Sequence, residues 1–159
     1  MEVTLRDAST DRGIVDHLNQ LYLYDFSEFG HRDVGPDGLY EASYLDAYWS
    51  NEDRRSFLLL VDDQIAGFAL LHLPDGRAHA IGEFFVMRKY RRRGVGATAA
   101  VQVFDMFPGQ WTVRQFPSNV GGREFWRKVI DRYTSGRLTE EEHSGESGGW
   151  TQSFDNSRA

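Results

Sequence analysis

Cysteine is missing from all 159 residues. Its absence excludes disulfides, thiolate zinc sites and a cysteine nucleophile. Long apolar runs are missing too. None approaches the roughly 20 residues that a helix needs to span a bilayer, so no membrane partner is expected. The opening MEVTLRDAST has no apolar core of the kind a signal peptide carries, which points to a cytoplasmic protein. Repeats, low-complexity linkers and charged tails are absent, so residues 1–159 read as a single domain. His17, His31, His72, His79 and His143 are scattered without metal-ligand spacing and read as structural, so no metal is expected. The Walker run GxxxxGK[ST] does not occur. Positive charge is in deficit: the formal net charge is −6. That balance disfavours nucleic acid as a partner and would draw in a cationic small molecule.

What is present suits a packed α/β or α+β domain. Hydrophobic residues make up 40% and aromatics 14%, more than a disordered chain carries. Val3 to Arg6 alternates as a short strand. Ser9, Thr10 or Asp11 can cap a helix with Ile14, Leu18, Leu21 and Tyr22 on one face. Phe26 to Leu39 is glycine-rich and reads as a loop, and Glu41 to Trp49 as a second helix with Tyr44, Leu45 and Tyr48 on one side. Ser56 to Val61 and Gln64 to Leu73 form a hairpin about Asp62-Asp63, and Ala78 to Met87 is a third strand of this group. A helix follows from Val95 to Phe107, with Val95, Ala99, Val103 and Phe107 at helical spacing, stopped by Pro108-Gly109. Gln110 to Gln115 is a strand and Gly121 to Ile130 a short helix. Arg137 to Glu142 and Trp150 to Phe154 are late strands. Mixed order of this kind predicts a partly antiparallel sheet with helices.

The segment Phe84 to Thr98 carries the chemistry. An apolar strand ends at Val86-Met87, a basic stretch follows, then Gly94-Val95-Gly96, then helix. Glycines let the backbone turn tightly and approach a ligand. The first helical amides lack internal partners and the helix dipole adds positive charge. With Arg91, Arg92 and Arg93 these make an anion site suited to a pyrophosphate. A dinucleotide fingerprint GxGxxG fits less well. Its third glycine is Ala99, and no acidic residue lies about 20 positions on in a strand. On spacing alone, a solvated basic turn capping a helix stays open.

RRRGVG resembles the (Q/R)xxGx(G/A) signature of the GNAT superfamily of N-acetyltransferases. The likeness extends through EFFVMRKYRRRGVG, with the family's strand, its Tyr90 and its loop. It continues to Asn119 after the next strand and to Phe125-Trp126 beyond. EFFVM is similar to the DFFVM of polyamine acetyltransferases. The resemblance covers residues 56 to 130 and, by element order, the N-terminal part. It implies the GNAT fold: a mixed, mostly antiparallel sheet of six to seven strands, about four helices, and strands four and five splayed at a cofactor cleft.

By that resemblance, acetyl-CoA is the co-substrate and a primary amine of a small cationic molecule or peptide the acceptor. Phe85, Val86 and Met87 should offer backbone groups to the pantetheine arm, with the Val86 amide as oxyanion donor. Amides from Arg92 through Gly94, Val95, Gly96 and Ala97 should hold the pyrophosphate at the loop that closes at Thr98, with Arg91 on the loop or the phosphate. Asn119 should meet the pantetheine or the sulfur end, and Trp126 should lie beside the coenzyme. Glu83, in the apolar company of Ile81, Phe84 and Phe85, is the candidate base, because burial raises a carboxylate's pKa toward neutrality. The family's tyrosine position holds Trp126, which has no acidic proton to give. Tyr133 is the substitute candidate, and unassisted departure of the thiolate is the other option. Tyr24, Asp25, Glu28 and Asp33, with Asp37 and the nearby Tyr22, Tyr40 and Tyr44, should form the acceptor site. Carboxylates with aromatic walls suit a cation. A non-catalytic acyl-CoA binding module is the competing reading, and a homodimer is left open.

Overall fold

Asp62 and Asp63 both adopt positive φ, 48° and 63°, in the two-residue turn that organises the sheet. Such turns match the right-handed twist of the strands they join. The computed structural model describes residues 1–30 and 32–157. Around the turn, β2 (Arg54–Val61) pairs antiparallel with β3 (Gln64–His72), and β1 (Val3–Asp7) lies on the outer side of β2. β4 (His79–Val86) pairs antiparallel with β3, β5 (Gln110–Gln115) runs parallel to β4, and β7 (Gly149–Asp155) and β6 (Thr139–His143) complete the order β1-β2-β3-β4-β5-β7-β6. This is the mixed α/β sheet that the sequence predicts, with seven strands.

Both faces of the central strands are covered. Leu58 and Leu59 point opposite ways, and each is fully buried. On one face α3 (Val95–Met106) and α4 (Val120–Thr134) pack Val95, Ala99, Val103 and Phe104 against Trp111, Trp126 and Ile130. On the other, α1 (Arg12–Phe26) and α2 (Ala47–Ser50) cover Leu58, Phe68, Leu70 and Phe85. Burying side chains of this size contributes about 1.5–3 kcal/mol each before entropic costs.

Three expectations shift. The buried stripe of α1 is Val15, Leu18, Asn19, Tyr22 and Leu23, while Leu21 is 51% exposed. Asn19 can enter the core because its Oδ1 accepts the Tyr44 hydroxyl at 2.8 Å. The second helix does not begin at Glu41. That carboxylate accepts the Ser43 amide at 2.6 Å, a local bond that competes with helix. A 3-10 turn, Ser43–Asp46, runs into the single turn of α2 instead. α4 runs past Ile130 to Thr134 and ends where Ser135 takes a left-handed conformation, φ 54°.

Candidate active site

β4 and β5 stay paired only at His79–Ile81 against Trp111–Val113. Beyond that the two strands part. Met87 N–H donates to Ala66 O at 2.8 Å, which sets the phase of the β3–β4 ladder. Antiparallel alternation then turns the Val86 amide away from β3 and into the gap. The expectation that Phe85, Val86 and Met87 all offer backbone groups is therefore corrected: the Met87 amide is spent on β3, and the Val86 carbonyl accepts Arg91 Nε at 2.7 Å. The Val86 N–H is the group left facing the gap.

The loop from Arg88 to Gly94 leads from β4 to α3. Tyr90 is buried and anchors it in the core. Gly94 caps α3 at φ 80°, a conformation that costs an L side chain roughly 1–2 kcal/mol. The first helical bond closed within the chain is Thr98 N–H to Gly94 O at 3.0 Å. The amides of Val95, Gly96 and Ala97 precede it and so lack intrahelical partners. Gly96 is needed for closeness. A Cβ there would stand 3.2 Å from the Phe125 ring and 3.5 Å from Val86 Cγ2. Arg92 and Arg93 are exposed beside these amides. Arg91 instead braces the structure: besides Val86 O it pairs with Asp25 at the end of α1 and stacks over Phe85 at 5.7 Å. The loop role, of the two expected for Arg91, is the one the geometry displays.

Glu83 sits on the opposite face of β4 from Ile81 because of one inserted residue. Leu70 pairs with Glu83 and Leu71 with Ile81, so Gly82 is the extra residue of a bulge. Without it, period two would set Ile81 beside Glu83. With it, Ile81 and Phe84 pack toward α3 and α4, while Phe85 stays on the α1 side. The apolar company expected for Glu83 is thus reduced to Phe85, and Tyr22 replaces the rest. Tyr22 Oη donates to Glu83 Oε2 at 2.5 Å. Burial pushes the Glu83 carboxyl above its ordinary pKa, against the opposing effects of the Tyr22 hydrogen bond and the Arg32 charge. Burial and the neighbouring carboxylate push Tyr22 well up, and the same causes raise Tyr44 and Tyr48. All three hydroxyls stay protonated near neutral pH.

Glu83 opens into a cleft of about 400 Å³ between α1, the segment after it and the end of β5. Tyr22, Leu23, Phe26, Phe29, Arg32, Tyr44 and Phe116 are among the residues that line it. None of the four acceptor-site candidates does. Tyr24 is 62% exposed, because two positions along a helix turn it about 200° away from Tyr22. Asp25 is engaged by Arg88 and Arg91. Burial works to raise the Asp25 carboxyl, but the two arginines outweigh it and hold it below its usual range. Glu28 and Asp33 lie on the exposed stretch outside the cleft, as does Asp37. Tyr40 is held by Gln20 through both its backbone groups. Phe26 was legible as a cleft residue from its i, i+4 spacing to Tyr22. Phe29, Arg32 and Phe116 carried no local signal.

Three further candidates land away from Glu83. Tyr133 lies on the α3–α4 face, where its hydroxyl donates to Asp105 at 2.8 Å and accepts from Asn156 Nδ2 at 3.1 Å. Asp105 is ten residues past Val95, about 15 Å along α3. Sheet and helix length thus separate Tyr133 from the base, which corrects its expected part in thiolate protonation. Trp126 is 7% exposed and stacks edge-on against Phe84 and Phe125. It is core, and Phe125 is the ring that meets the glycine loop at Gly96. Asn119 caps α4, its Oδ1 accepting the Gly122 amide at 3.0 Å. Of the histidines, His72 meets Asp53, His79 meets the Pro108 carbonyl and His143 meets Thr151. His31 lies outside the described residues. Among the described residues, no group of three or more His, Asp or Glu side chains could hold a metal ion.

The model of a family described as Acetyltransferase (GNAT) family matches residues 17–130. No curated protein matches the chain. Solved structures do. An acetyltransferase from Thermus thermophilus superposes with a TM-score of 0.69 at 15% identity, over 98% of this chain and 97% of that one. The ribosomal-protein-S18-alanine N-acetyltransferase of Escherichia coli gives 0.65 at 15% identity, over 99% and 96%. A structure from Bacillus anthracis str. Ames, in complex with acetyl coenzyme A, gives 0.59 at 17% identity, over 98% and 99%. At these identities the structures share the fold.

Proposed function

The chain belongs to the Acetyltransferase (GNAT) family, and from that premise we propose that it transfers the acetyl group of acetyl-CoA to a primary amine, with Glu83 as the base. One observation carries the reading. β4 parts from β5 beyond Ile81, Glu83 lies on that parted stretch and opens into the cleft, and the loop that follows β4 ends in the amides of Val95, Gly96 and Ala97, which lack intrahelical partners.

The coenzyme's parts fit what the gap offers. Its diphosphate suits the helix start, where free N–H groups, the dipole and Arg92 and Arg93 act together. The Val86 N–H is the donor for the thioester oxygen as charge develops there. An ammonium cannot attack, so the acceptor first gives a proton to Glu83. Its nitrogen then bonds the acetyl carbon, the carbon–sulfur bond breaks, and the nitrogen sheds its second proton to water. The thiolate leaves and takes a proton from water, which a thiol pKa of about 8.5 permits. A Glu83 carboxyl raised by burial is a stronger base than a free one and suits the role near neutral pH.

Binding without turnover is the second reading. It is favoured by the placement of Trp126 in the core and of Tyr133 beside Asp105. Release of free coenzyme A thiol from acetyl-CoA, measured over a panel of amines, decides between them. Amine-dependent release that is lost in Glu83→Gln supports transfer. Saturable coenzyme binding with no release for any amine supports the module.

A further inference from the structure

The acceptor end of the cleft differs from the acidic site expected from composition. Among the described residues that line it, Glu83 is the one carboxylate and Arg32 the one cation. The rest of its wall is dominated by rings. Phe26 packs against Phe116 at 5.3 Å and Phe29 at 6.2 Å, and Phe29 meets Phe116 at 6.3 Å. Ser118 Oγ donates to Phe29 O at 3.3 Å and ties the turn after α1 to the segment after β5, so the trio is held from both sides. Phe29 is 39% exposed and Phe116 41%. Large apolar rings left open to water inside a concave site call for an apolar ligand surface to cover them.

Resting on the transfer reading above, we infer that the acceptor is a primary monoamine carried on an aromatic or similarly apolar body, and not a polyamine. The amine meets Glu83, and the body lies against Phe26, Phe29 and Phe116. A polyamine brings a second and third ammonium into a cleft with no second carboxylate among the described residues that line it. Rings do attract cations. Here the Arg32 guanidinium shares the cleft and already holds the nearby Glu41 carboxylate, at 3.8 Å, so that carboxylate is not free for a further ammonium. The acidic side chains of α1 and the following stretch do not compensate, since Asp25 is taken by two arginines and Glu28 and Asp33 lie outside.

Calorimetric binding of 2-phenylethylamine and spermidine to the full chain, with and without coenzyme A, tests the inference. Phenylethylamine is expected to bind about tenfold or more tightly than spermidine, the worth of covering one ring. Phe116→Ala, folded by circular dichroism, should lose most of that margin. Arg32→Ala should narrow it by strengthening spermidine. Equal or tighter spermidine binding, or no binding of either amine, overturns the inference. Thiol release measured on the same samples separates it from the transfer reading. Phenylethylamine that binds but is never acetylated sinks transfer and leaves an apolar monoamine as the ligand of the cleft. Faster acetylation of spermidine sinks the acceptor class and leaves transfer standing.

Discussion

Tyr22 Oη donates a 2.5 Å hydrogen bond to Glu83 Oε2, joining α1 to β4 across 61 positions of sequence. The bond stabilises the ionised carboxylate, while burial opposes ionisation more strongly. The candidate base and the wall of the cleft are therefore one unit.

Glu83→Gln should lower kcat on the order of 100-fold, the usual scale for a positioned base. Coenzyme affinity should hold. In the wild type, kcat/KM should rise with pH through a step lying above the ordinary carboxylate range, because burial raises the Glu83 pKa. Tyr22→Phe removes a bond that favours the charged form, so the step should move to higher pH. A step that stays in place in Tyr22→Phe, or survives in Glu83→Gln, removes Glu83 from the role.

The same shift has a consequence for stability. Glu83 has a folded pKa above its unfolded one, so folding favours the protonated form. Its contribution is full below the unfolded pKa and is lost as pH rises through the folded pKa. Glu83→Gln should thus gain melting temperature relative to the wild type as pH rises from 4 to 8. Parallel Tm curves for the two proteins would contradict the burial-driven shift.

Gly96→Glu should weaken coenzyme A binding at least about tenfold by calorimetry, since a carboxylate repels phosphates at a helix N-terminus. The new Cβ presses on the half-buried Phe125 ring at 3.2 Å, which must shift by a few tenths of an ångström. A fall in Tm of about 2–4 °C per kcal/mol lost is the accompanying sign. Gly94→Ala acts through φ 80° and should cost about 1–2 kcal/mol in denaturant melts. Undiminished coenzyme affinity in Gly96→Glu would remove the phosphate site from this loop.

Asp25→Ala should release Arg88 and Arg91 together and destabilise the chain by about 1.5–3 kcal/mol at pH 7, the scale of hydrogen bonds to charged groups. The Asp25 carboxyl titrates below its usual range, so its stabilisation is present above the unfolded pKa and lost as pH falls through the folded one. Urea melts at pH 7 and pH 3 should show the variant and wild type converging in acid. A gap that persists undiminished in acid would separate this loss from the ion pairs.

Tyr133→Phe should leave kcat within about twofold while costing about 1 kcal/mol of stability through its bonds to Asp105 and Asn156. A tenfold loss of kcat with unchanged Tm would restore Tyr133 as a proton donor.

Local patterns carried much of the fold. SFLLLV and QIAGFALLHL are long apolar runs joined by two aspartates, and the hairpin followed from them. Gly94-Val95-Gly96 after a basic stretch announced the helix tip, because turn conformation and free amides are properties of neighbouring residues. Side-chain destinations were less legible. Tyr24 and Asp25 lie two and three positions after Tyr22, yet helical rotation sends the three in different directions.

The sequence by itself determined the strand–loop–helix of the candidate anion site, which lies within one short stretch, and the family to which the chain belongs, matched over residues 17–130. Only the tertiary structure decided that Glu83 meets Tyr22 rather than Ile81, because one bulge residue at Gly82 reverses the strand's faces. It also decided that the cleft beside Glu83 is walled by rings from α1, the turn after it and the end of β5. Those residues are drawn together by packing across the sheet, and no spacing along the chain encodes that.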